Sequence, residues 1–293
     1  MREVTLEELL EAGCHFGHQV TRSNPKARDF IYEARDNIHI IDLVKTKQGL
    51  EEGAAFIKAL AEKEGTSLVV VGTKRQARGI VEEVLRQAQD KGAGQGLYHI
   101  TNRWVGGLLT NFSEVSKNFE KLKEISDNLQ NEEFKAKYTK KEIGQWAKER
   151  QKLESLYGGV AKLTKKPDAL FIIDSHLEDL AVREAIRMGV TTVAIVDTNA
   201  DPDIIDYPIP ANDDAVGSIK LITSYIIDAW IEGRQELSKM QAEDKEKAKE
   251  KSESDLKKEE KKTTSETTKS KSKIQEKEDE DVKRKPRTTK KTS

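Results

Sequence analysis

The sequence predicts a doubly wound α/β fold: a parallel sheet with helices on both faces, interrupted by a protruding helical hairpin and followed by a charged tail. Three observations carry this. Apolar runs without alternation at 68–72, 169–173 and 192–196 have the pattern of strands buried on both faces. Between them lie segments whose apolar residues recur every three or four positions, the helices of strand–helix–strand units. Residues 241–293 carry 18 basic and 14 acidic side chains but only five apolar ones, too few to offset the entropy of ordering the segment.

Each element has its own local reason. Thr5 and Glu8 form a capping box and Val4 with Leu9 a hydrophobic staple, so a helix starts there and Gly13 stops it. Ile38–Ile41 is short and β-rich and reads as a strand. Leu50, Ala54, Ile57 and Ala61 mark a helix over 46–63 that Gly65 ends. After the strand at 68–72, Thr73 and Gln76 read as the capping box of a helix through Gln87. A Gly-rich turn then leads to a strand at 97–100. Ser175 and Glu178 read as the start of a helix ending near Gly189, and Asn212 or Asp213 as the start of the final helix.

Residues 112–157 break the rhythm. Phe112, Val115, Phe119, Leu122 and Ile125 form one apolar stripe, and Tyr138, Trp146, Leu153 and Leu156 a looser second one. Two helices pairing as an inserted coiled-coil arm fit this pattern. The expected domains are therefore an α/β body of 1–111 and 158–235, an arm at 112–157, and a disordered charged tail at 236–293. The chain has 51 basic and 52 acidic residues, and removing the 241–293 segment leaves 1–240 with a net charge of −5. No apolar run approaches the roughly 20 residues of a membrane span, the N-terminus does not read as a signal peptide, and the one cysteine, Cys14, excludes an internal disulfide framework. These features predict a soluble, cytoplasmic protein.

Doubly wound folds place sites at the carboxyl ends of their strands, and Asp174, Asp197, Asp201, Asp203, Asp206, Asp213 and Asp214 gather there. One reading is a Mg²⁺ site for phosphoryl chemistry; the other is that these residues cap helices and shape turns. No phosphate-binding loop and no nucleophile–base pair accompanies them. His15 and His18, with Asp197, are ligand-type residues, but their spacing lacks the paired pattern of structural zinc, so no metal and no cofactor is expected. Lys74, Arg75 and Arg78 start a helix where the dipole disfavours cations, which reads either as an anion site or as a solvated turn. Arg103-Trp104 beside Gly106-Gly107 is a candidate platform for phosphates and stacked bases, although Trp104 equally suits a core. Arg22, Lys26, Arg28 and Arg35 line a loop poor in apolar residues.

Several blocks resemble a known family. Gly13-Cys-His-Phe-Gly-His18, Asn24-Pro25-Lys26 and His39-Ile-Ile-Asp-Leu43 are similar to the opening of bacterial ribosomal protein S-two, the second protein of the small ribosomal subunit. Arg103-Trp-Val-Gly-Gly-Leu-Leu-Thr-Asn111 resembles its central signature. Ala194-Ile-Val-Asp-Thr-Asn-Ala-Asp-Pro202 and Asp206-Tyr-Pro-Ile-Pro-Ala-Asn-Asp-Asp-Ala215 resemble its third block. The likeness runs from about residue 3 to 235. It implies a flavodoxin-like sheet with a protruding hairpin, no catalysis, no small-molecule substrate and no membrane. The partners it implies are small-subunit rRNA and neighbouring ribosomal proteins, protein S-one among them. The candidate RNA contacts are then Arg22, Lys26, Arg28, Lys74, Arg75, Arg78, Arg103 and Trp104, joined by Asn24 and Asn111 from the matching blocks. An apolar residue is usual in the family where Ala27 stands, which bears on the packing of that loop, and the tail beyond about residue 235 has no counterpart in the family core.

Overall fold

The computed structural model describes residues 2–241, apart from the side chain of Glu133. Of the predicted 236–293 tail, residues 242–293 lie outside the described residues, and 236–241 continue the last helix instead of opening a disordered segment. Five parallel strands form the central sheet: β4 (Leu68–Val71), β5 (Leu97–Ile100), β6 (Ala169–Ile172), β7 (Thr191–Val196) and β8 (Tyr207–Pro210), in the order β5-β4-β6-β7-β8. The chain leaves β4 toward one edge and returns to build the other half from β6, so the topological switch lies between β4 and β6. This is the flavodoxin-like order. Register is continuous across the middle, with Val70 opposite His99 on one side and Phe171 on the other.

The unalternating strands are buried on both faces. Leu68, Val70, Phe171, Val193 and Ile195 enter one apolar layer, and Val69, Val71, Leu170, Ile172 and Ala194 enter the other. The first layer is closed by α1 (Leu6–Glu11), α2 (Leu43–Ala61), α3 (Arg75–Asp90) and a final helix, α8, that begins at Val216. The second is closed by α7 (Asp179–Met188), the loop carrying Trp104, Leu108 and Leu109, and the base of the arm. Among the described residues no helix is long and apolar enough to cross a membrane.

Several boundaries differ from the sequence reading. Thr73 does not cap α3: Lys74 is the N-cap residue, without a side-chain cap bond, and the Thr73 hydroxyl donates to Glu178 instead. Ser175 and Glu178 form no capping box either: α7 (Asp179–Met188) begins after Glu178, and Asp174 caps the preceding turn by accepting from the N–H groups of His176 and Leu177. Ile38–Ile41 is a strand, β3, but it pairs antiparallel with β1 (Phe16–Gln19) and β2 (Ile31–Arg35) in a separate small sheet that the sequence reading does not contain. It also lacks β8. α2 crosses β8 so closely that a Cβ on Gly49 would lie 2.4 Å from the carbonyl oxygen of Pro208, which explains a glycine inside a helix.

The arm consists of α4 (Phe112–Gln130), a short α5 (Glu132–Ala136) and α6 (Lys140–Tyr157), the last opened by a capping box of Thr139 and Glu142. α4 and α6 pack on each other, with Val115, Phe119, Leu122 and Ile125 buried along the seam. Phe119 meets Tyr157 edge-on at 5.5 Å between centroids. Phe119, Tyr157 and Val115 belong to the second apolar layer of the body, so the base of the arm and the sheet share a core.

Candidate functional site

Two polar constellations occupy the carboxyl-terminal rim of the sheet, beside the switch point. The first gathers residues that follow four different strands. The ammonium of Lys74, after β4, lies 2.8 Å from Asp174 after β6, 2.7 Å from Asp213 and 2.8 Å from Asp214, both after β8. Asp197, after β7, accepts from the backbone N–H groups of Thr198 and Asp213. His18, arriving from β1, places Nδ1 3.1 Å from Asp197 and Nε2 3.6 Å from Asp214.

One ammonium cannot neutralise this many carboxylates. Burial opposes the charge on Lys74, but Asp213, Asp174 and Asp214 outweigh it and raise its pKa. Asp213 moves the opposite way from an ordinary ion-pair partner. Burial, then the charges of Asp174 and Asp197, push its carboxyl up to about 7 despite Lys74. The hydrogen bond to Asp197 raises His18, and Lys74 lowers Asp214. His18, Asp213 and Asp214 offer ligand atoms within 4.8 Å of one another and form the set among the described residues that could hold a cation. His15 does not join them; its ring lies against that of Phe16, tilted by 41°, and its Nδ1 is buried without a hydrogen-bond partner among the described residues. No nucleophile positioned by a base appears among these contacts.

The second constellation is a carboxylate cradle. Glu184 on α7 accepts from the indole of Trp104 at 3.3 Å, from the backbone N–H groups of Gly107 at 2.7 Å, Leu109 at 3.1 Å and Thr110 at 3.2 Å, and from the Thr110 hydroxyl. Burial works against its charge, yet these donors hold its pKa below the usual carboxylate range. Glu184 thus shapes the Arg103–Asn111 loop from beneath. The sequence reading does not assign it a role, although a glutamate between Ala181 and Ala185 on the apolar stripe of a helix is the available signal.

The candidate RNA contacts divide on this geometry. Lys74 and Trp104 require correction. The Lys74 ammonium is committed to three carboxylates, and Trp104 is 4 % exposed with its N–H bound to Glu184, so no base stacks on it. Lys26 pairs with Asp201 and Asp203. Asn24 accepts from the N–H of Lys26, a cap for the following turn. Arg78 binds the Thr73 carbonyl and Asn102. Arg22, Arg28, Arg75 and Arg103 are exposed and make no ion pair among the described residues, and Asn111 is exposed at the start of α4.

A sequence profile described as Ribosomal protein S2 matches residues 9–233. The chain is 41 % identical to the small ribosomal subunit protein uS2 of Fusobacterium nucleatum over 246 residues, covering 84 % of this chain and 96 % of the relative. It is 46 % identical over 235 residues to the proteins of the same name from Geotalea uraniireducens and Coprothermobacter proteolyticus, covering 80 % of this chain and 88 % and 84 % of theirs. A five-strand sheet in flavodoxin-like order, an inserted arm and a profile match over residues 9–233 converge: the chain belongs to the ribosomal protein S2 family.

Proposed function

We propose that this protein is a structural, non-catalytic constituent of the small ribosomal subunit and that it contacts the rRNA backbone through the exposed arginines at the rim of its sheet. The observation that carries the first part is family membership across residues 9–233. The second rests on Arg75, at the first turn of α3, and Arg103, on the loop after β5, which are exposed and make no ion pair among the described residues while the carboxylates nearby are taken up by Lys74 and by backbone donors. Arg22 and Arg28 extend the same chemistry to the first loop. Phosphate contacts position a protein without reading sequence, and a body with a net charge of −5 makes few of them, so neighbouring ribosomal proteins, protein S-one among them, supply the remaining contacts.

The test is reconstitution of small subunits with an Arg75→Ala, Arg103→Ala double variant across a KCl series. Two lost phosphate contacts lower the salt slope by about 1.4–1.8. Wild-type occupancy with an unchanged slope would place the RNA surface elsewhere.

A further inference from the structure

The distal part of the arm holds an aromatic cluster outside the candidate RNA contacts described above. The rings of Phe134, Tyr138 and Trp146 lie with centroids 4.7–5.2 Å apart. No two are parallel: Tyr138 stands at 80° to Trp146, and Phe134 is inclined by 43° to Tyr138 and 41° to Trp146. A simple apolar plug would close on itself. Instead these rings line a cleft of about 450 Å³ between α4, α5 and α6, within the ~300–1,000 Å³ range of small-ligand sites. Tyr138 is 40 % exposed, so the wall is open to solvent.

The charges on the rim have one sign in excess. Lys121, Glu124 and Glu149 line the cleft, and Lys121 is occupied by Glu149 at 2.5 Å, leaving the Glu124 carboxylate without an ion pair among the described residues. Aromatic faces are electron-rich, and several non-parallel rings around one space, with a carboxylate at the edge, are complementary to a cation with an apolar stem. We propose that this cleft receives an arginine or lysine side chain presented by a basic segment of a partner protein. An arginine fits best, because its planar guanidinium stacks on one ring while its edge reaches Glu124.

The test uses the full chain and a fluorescein-labelled peptide of alternating arginine and glycine, read by anisotropy. Trp146→Leu keeps apolar volume but removes the best cation-binding face, and the expected loss of affinity is about two- to thirtyfold. Trp146→Phe should retain most of the binding, Glu124→Gln should weaken it, and a glutamate–glycine peptide of the same length should not bind. If Trp146→Leu loses helicity by circular dichroism, Tyr138→Leu at the exposed wall replaces it with the same reading. Unchanged affinity in a folded ring variant overturns the proposal. So does displacement of the peptide by oligouridylate that depends on Trp146, which would assign the rings to base stacking.

Discussion

The carboxylate of Glu184 and the indole nitrogen of Trp104 meet at 3.3 Å beneath the Arg103–Asn111 loop, and the same carboxylate collects three backbone N–H groups of that loop. A single buried anion therefore replaces secondary structure as the organiser of the segment. Glu184→Ala leaves those donors without a partner. The expected cost is about 3–5 kcal/mol, more than for Glu184→Gln, which keeps an acceptor of similar size. Urea denaturation of the two variants checks this, with Trp104 emission shifting to the red as the loop opens.

The Lys74 cluster sets a pH dependence. The folded-state pKa of Asp213 is raised to about 7 and that of His18 is also raised, so for both groups the folded protein holds the proton more tightly than the unfolded chain. Their contribution to stability is full at low pH and is lost as pH rises through the folded values. For Asp213 the decline spans roughly pH 4 to 7, from its ordinary value to its raised one. The groups facing it are Lys74, Asp174, Asp197, Asp214 and His18. Thermal melts from pH 5 to 8 should show this decline, and Asp213→Asn should flatten it. An equally steep decline in that variant would assign the effect to other groups.

Lys74→Met should behave unlike loss of Arg75 or Arg103. Removing the ammonium leaves Asp174, Asp213 and Asp214 uncompensated, a loss of about 3–5 kcal/mol in stability by the usual scale for breaking a buried ion pair. A calorimetric melt reads it directly, while Arg75→Ala, on the exposed side, should leave the melt within about 0.5 kcal/mol of wild type.

Two substitutions separate the arm from its base. Leu122 is buried between α4 and α6 but lies outside the apolar layer of the body, whereas Phe119 belongs to that layer. Leu122→Asp should raise amide exchange within the arm and leave the sheet protected. Phe119→Ala should cost about 3–5 kcal/mol and lower protection in β4 and β6 as well. Global unfolding of the Leu122 variant would make the whole arm part of the main core.

β4, β6 and β7 are legible in the sequence because double burial leaves runs such as Leu68-Val-Val-Val with no polar interruption. β8 is not, since Tyr207-Pro-Ile-Pro carries two residues that cannot donate to a ladder; it is tolerated as the outer strand of the sheet, paired on one side only with β7. β1 and β2 escape because their exposed residues give no alternating stripe. The rim acids are visible as turn-forming aspartates, but their convergence on Lys74 joins positions 74, 174 and 213, and spacing along one chain carries no trace of it. Trp104 and Lys74 mislead for one reason: residue type suggests a ligand, and the partner that satisfies each comes from a distant helix or loop.

The shared apolar layer at Phe119 and Tyr157 gives the arm the mechanics of a cantilever. A 19-residue α4 is about 28 Å long at 1.5 Å per residue, and its first two turns are clamped where Val115 and Phe119 enter the body. Beyond that root the helices rest on each other alone, so a rotation of a few degrees near Leu122 would carry Phe134 through ångströms. A load at that end would reach β4 and β6 through the root, where Phe119 and Tyr157 meet edge-on within the apolar layer that holds those strands.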